Sequence, residues 1–76
     1  MDYVIQLNRL INKLKDAQES EHNFIYCEKN QSVPDAIEGG QFAKTGTEAD
    51  QLSGDGNTQL ITDWIKDLES ELKNRN

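Results

Sequence analysis

His22-Asn-Phe-Ile-Tyr-Cys-Glu-Lys-Asn30, HNFIYCEKN, decides the fold, because it contains the longest unbroken apolar run of the chain, Phe24 to Cys27. β-Branched and aromatic residues in a row suit a short strand. Phe24 also continues a seven-residue spacing from Leu10 and Ala17, which would prolong a preceding helix. Against the helix, Glu21 and Glu28 would then lie on or beside its apolar stripe. Periodicity does not arbitrate so short a run. The reading adopted here is a helix continuing or restarting through Tyr26. The alternative places Phe24–Cys27 in the sheet of a small α+β domain.

Toward the amino end, Tyr3, Leu7, Leu10, Leu14 and Ala17 recur at alternating steps of four and three, and Val4 and Ile11 widen the stripe. Asn8, Arg9, Asn12, Lys13, Lys15 and Asp16 form the opposite, wet face. This is the period of an amphipathic helix, with Asp2 placed to favour its amino end. At the carboxyl end, Leu60, Ile61, Trp64, Ile65, Leu68 and Leu72 line a second stripe. Asn57 or Thr58 is expected to cap that helix, Lys73 and Arg75 suit its end, and Glu69 lies four residues before Lys73. The expected helices run from Tyr3 to about Tyr26 and from Thr58 to about Asn74.

Between them, Ser32, Pro34, Asp35 and Gly39 have the spacing of a capped helical turn. Thr47, Asp50 and Gly54 repeat the device more weakly. All five glycines fall between Gly39 and Gly56. That segment is expected to be a flexible acidic connector, with Thr45–Asn57 replaceable by a Gly/Ser linker at little cost in stability. The expected fold is therefore all-α: two amphipathic helices packed antiparallel, with short helical turns in a Gly-rich connector and a multi-chain bundle as an extension.

The 76 residues make one small domain, 34% of them hydrophobic, with a mean hydropathy of -0.84. A chain of this length buries only about 60% of its unfolded surface, so a second copy is expected to supply burial. The net charge is -6, and residues 20–57 alone carry -5. Direct binding to nucleic acid needs clustered Lys and Arg and is not expected. With a single cysteine there is no internal disulfide and no CxxC site. The longest apolar run has four residues, so neither a leader nor a membrane span is expected. The expected location is the cytoplasm, or a host's cytoplasm if the chain is virus-encoded. Asn30-Gln31-Ser32 matches a glycosylation sequon and is read as chance.

Candidate chemistry fails on spacing. A phosphate loop needs glycine immediately before Lys-Thr, where Ala43 stands before Lys44 and Thr45. A calcium loop centred on Gly56 would have only Ser53 and Asp55 as ligands. His22 and Cys27 are five apart, which points them to different faces of a helix or a strand. Glu19 and His22 have the i, i+3 spacing of dimetal bundles, but at a fraying helix end without an apolar shell.

The functional expectation is a small acidic, non-catalytic protein-interaction module, a regulator or inhibitor acting through its amphipathic helices. Asp63, Asp67 and Glu71 align at four-residue steps beside Trp64 and are the expected contact for a protein partner with a basic surface. Two alternatives accompany it. One is an acidic decoy of nucleic acid. The other is an oligomer that sequesters a small ligand, using Tyr26, Lys44 and Thr45. No cofactor and no metal is expected.

Overall fold

The computed structural model describes residues 2–75. The chain runs α1 (Tyr3–Glu19), β1 (Phe24–Cys27), α2 (Val33–Glu38), β2 (Phe42–Ala43), α3 (Gly46–Ser53), β3 (Asn57–Leu60) and α4 (Ile61–Arg75). The strands form one antiparallel sheet in the order β2-β1-β3. The architecture is α+β. The all-α expectation is overturned at Phe24–Cys27, which is the central strand, and at Thr58–Leu60, which are strand and not the start of the last helix.

α1 begins as its sequence indicates, with Asp2 Oδ1 accepting from the Val4 N–H at 2.9 Å. It does not continue to Tyr26, because it is closed by a Schellman motif. The His22 N–H donates to the Ala17 carbonyl and the Glu21 N–H to the Gln18 carbonyl, both at 2.9 Å. The motif requires a left-handed residue, usually glycine, and here Glu21 takes it at φ 66°. The chain leaves the turn extended, and side chains alternate across the sheet. Ile25 and Cys27 enter the main core, while Phe24 and Tyr26 take the other face, where the Phe24 ring lies under Gly46 of α3.

Pairing on both sides supplies the backbone of β1 with partners. Phe24–Cys27 lies against Leu60–Asn57, and Phe24 and Ile25 lie against Ala43 and Phe42. Beyond β2, the Tyr26 N–H donates to the Gln41 carbonyl at 3.0 Å, and the Gln41 amide returns a bond to the Tyr26 carbonyl at 3.0 Å. Gln31 completes this part-buried group, exchanging bonds of 2.7 and 2.9 Å with Gln41.

On one face of the sheet, α1 packs along α4 and α2, burying Leu7, Leu14, Ile25, Ile37 and Ile61 completely. The Asn23 carbonyl accepts from the Ile61 N–H at 3.0 Å, and Lys15 reaches Glu69 at 3.2 Å. The end of α1 therefore meets the start of α4, and the two helices run antiparallel. Glu69 is engaged across the helix pair with Lys15, where the sequence suggests Lys73. Leu60, which by its spacing belongs to the apolar stripe of α4, is exposed at the end of β3.

The Gly-rich stretch is structure, not connector. α2 is capped as expected, with Ser32 Oγ accepting from Asp35 N–H at 3.2 Å and Gly39 at its end. α3 starts two residues earlier than expected, capped by Thr45 Oγ1, which accepts from Glu48 N–H at 3.1 Å. Ala43, Ala49 and Ser53 are buried between α3 and the sheet. Gly56 sits so close to β1 that a Cβ there would overlap the Cys27 carbonyl oxygen.

Three outcomes are expected in thermal or urea unfolding. Gly56→Ala should cost about 3 kcal/mol, since the clash is with backbone and not with a movable side chain. Glu21→Gly should stabilise by about 0.5–1 kcal/mol by relieving the left-handed residue. Replacing Thr45–Asn57 with a Gly/Ser linker should abolish the cooperative transition, the reverse of the sequence-based expectation. A melt within error of wild type for Gly56→Ala would show that β3 does not approach β1 as described.

Candidate interaction surface

Two strands of the sheet have an outer edge, and the two edges differ. The register of β1 with β3, extended by the Ile61-to-Asn23 bond, makes residues 57, 59 and 61 face β1. By the antiparallel alternation, the N–H and C=O of Thr58 and the N–H of Leu60 point outward. None of these three groups takes another backbone partner among the described residues. β2 is only two residues long, and its outward N–H, that of Phe42, is already donated to the Gly40 carbonyl at 3.0 Å. The open edge is therefore β3, with Leu60 43% exposed at its end.

Charge is uneven around that edge. Between Lys44 and Lys66 there is no Lys or Arg, while Glu48, Asp50, Asp55 and Asp63 are all exposed. These four belong to α3, the α3–β3 turn and the first turn of α4. Asp50 stands beside the edge, its Oδ1 accepting from Thr58 Oγ1 at 3.4 Å. Neither the Arg9–Glu38 nor the Lys15–Glu69 ion pair involves any of the four.

Of the residues expected to meet a partner, Asp63 and Asp67 are exposed on successive turns of α4, and neither belongs to those ion pairs. Glu71 is half-buried and already engaged within the chain. Trp64 is half-buried, its Nε1 donating to Gln59 Oε1 at 3.2 Å, so it anchors α4 to β3. Of the expected ligand set, Tyr26 pairs with Gln41, whereas Lys44 follows β2 three residues further along the strand pair, about 10 Å away. The Thr45 hydroxyl is the cap of α3. The open strand edge is absent from the sequence-based reading. Asn57–Leu60 has no apolar alternation to mark a strand, and its one apolar residue, Leu60, has a spacing that matches α4.

A cleft of about 300 Å³ lies elsewhere, lined by Lys13, Asp16, Ser20, His22, Ile37 and Phe42 among others. His22 sits there with its ring 6.4 Å from that of Phe42 and its buried Nδ1 without a hydrogen-bond partner. Cys27 is buried in the core, 1% exposed, is not among the residues that line this cleft and makes no hydrogen bond with His22. Burial pushes the Cys27 thiol pKa up, away from the thiolate a nucleophile needs. No group of three or more potential metal ligands occurs among the described residues. No helix among them is long and apolar enough to cross a membrane.

No family model, curated protein or solved structure matches this chain.

Burial of Cys27 has two measurable consequences. An aromatic disulfide reagent is expected to label it only as fast as the domain opens, at least about a hundredfold slower than the unfolded chain. The sign of the pH effect is also fixed. The raised native pKa leaves the folded thiol protonated where the unfolded one has ionised. Stability from this group is thus present below the unfolded pKa, about 8.5, and falls as pH rises above it. Cys27→Ala should flatten that alkaline limb. Labelling at the unfolded-chain rate in native buffer would contradict the burial.

Proposed function

We propose that this chain is a small, non-catalytic interaction module that regulates or inhibits a protein partner with a basic surface, using the face built from α3, β3 and the start of α4. One observation carries the reading: an open strand edge is flanked in the chain by four exposed acids, one of them, Asp50, in contact with Thr58, in a stretch that holds no base. Both amphipathic stripes face the core, which leaves the charged face and the strand edge as the surface on offer. Opposite charge steers association and sets its salt dependence more than it sets the final affinity. An acidic decoy of nucleic acid is one form this regulation would take, distinguished by the identity of the partner.

The test is cross-linked capture from the cell of origin with wild type and with Asp55→Asn/Asp63→Asn. Each exposed charge is worth up to about 1 kcal/mol, so the double variant is expected to bind its partner about tenfold more weakly. Raising salt from about 50 to about 500 mM should weaken the wild type and affect the variant less. Competition by a polynucleotide would identify the partner as a nucleic-acid-binding protein. A partner held equally by both proteins at every salt concentration would overturn the reading.

A further inference from the structure

The structure assigns the outer edge of β3 a ligand class: an extended segment of a basic partner protein, added to the sheet as a fourth strand. This rests on the reading above and deepens it by naming how the partner is held. Strand addition needs a run of unpaired backbone donors and acceptors on an accessible edge. Thr58 N–H, Thr58 C=O and Leu60 N–H form such a run. Edges are ordinarily guarded by lysine, proline, a bulge or extreme shortness. β2 is guarded by its length of two residues and by the Phe42 bond to Gly40, whereas Asn57–Leu60 has four residues in regular register and none of these devices.

The choice of occupant comes from charge complementarity. A second copy of this chain would bring Asp50, Asp55 and Asp63 against their own duplicates, whereas a basic segment neutralises them. Alternation then sets the pattern it must carry. Thr58 and Leu60 share the face that holds Phe24, since Phe24 pairs with Leu60 and Tyr26 with Thr58. Asp50 reaches Thr58 on that face. An incoming strand therefore places a cationic side chain opposite Thr58, within reach of Asp50, and an apolar one two residues away, over Leu60. Lys or Arg two positions from a β-branched or aromatic residue is the motif this edge selects.

The experiment uses the full chain, labelled with nitrogen-15, and the capped probe peptide Thr-Lys-Thr-Val-Thr-Lys-Thr-Val at low salt. Amide shifts and hydrogen exchange are followed during the titration. The Thr58 and Leu60 amides should shift most and exchange at least about tenfold more slowly with peptide bound. A probe N-methylated at alternate amides should lose this effect. Thr58→Pro, which removes an outward N–H while leaving the bonds to β1, should abolish binding, and Leu60→Lys should weaken it, both with melting temperatures near wild type. Binding confined to the α4 acids, or equal binding of the methylated probe, would overturn strand addition and leave the acidic-surface reading standing. No shifts at millimolar peptide would overturn both. Shifts at Thr58 and Leu60 that depend on protein concentration without peptide at low salt, where the acids should keep copies apart, would overturn the assignment in favour of a second copy.

Discussion

The fold depends on the backbone of Phe24–Cys27 finding partners on both of its sides. Buried peptide groups without hydrogen bonds are too costly to leave in a core. Ile25 and Cys27 lie in the core between the helix layer and the sheet, so their strand has to be a central one. Both neighbours come from the Gly-rich half of the chain, which accounts for the order in that half. β2 arrives after the short helix α2, and β3 arrives after α3 and the Gly54–Gly56 turn. Gly56 marks how tight the arrangement is, because only a residue without a side chain fits against the Cys27 carbonyl. Remove β1 and the other strands have nothing to pair with.

Legibility in the sequence differs residue by residue. The stripes of α1 and α4 are legible, since a 3.6-residue period sustained over four turns is the mark of a helix with one buried face. The cap of α2 is legible because Ser32, Pro34 and Gly39 each have a local mechanism. β1 is hidden because the residue that stops α1 in a left-handed conformation is Glu21, which carries no helix-stop signal. The apolar spacing continues through it to Phe24 and conceals the change of period. β3 is hidden for a related reason. Ile61 is at once the last donor to β1 and the first residue of α4, so no loop separates strand from helix. Leu60 then resembles the first turn of the apolar stripe. The candidate interaction surface is legible only in its charges, such as Asp63, because an open edge exists only once a strand has been recognised.

Closing the core within one chain has a consequence for function. The stripes of α1 and α4, which by themselves suggest association through helices, are consumed by packing against each other, α2 and β1. The sheet and α2 provide burial that two helices alone would lack. What remains outside is a surface with single exposed apolar residues such as Ile5, Leu52 and Leu60, which are ordinary for a small domain. Specific recognition by such a surface has to come from backbone groups and charge. Among the described residues, the β3 side offers both together.

On the proposed reading, charge around that edge also decides which partners are refused. An open strand edge is a hazard because it pairs with any extended chain, including copies of itself. Here the guard is placed beside the strand and not within it. Asp50, Asp55 and Asp63 leave the backbone of Thr58 and Leu60 available while repelling another molecule of the same charge. A lysine within β3 would have protected the edge equally well, but it would also have turned away a basic segment. Acids at the rim discriminate where a charge in the strand would only block, and discrimination of this kind comes as much from repelling the wrong partner as from attracting the right one. The discrimination is electrostatic, so it weakens as salt screens the rim. On the proposed reading, high salt would weaken the hold on a basic segment and relax the repulsion between copies together, which would link the two fates of one strand to a single variable.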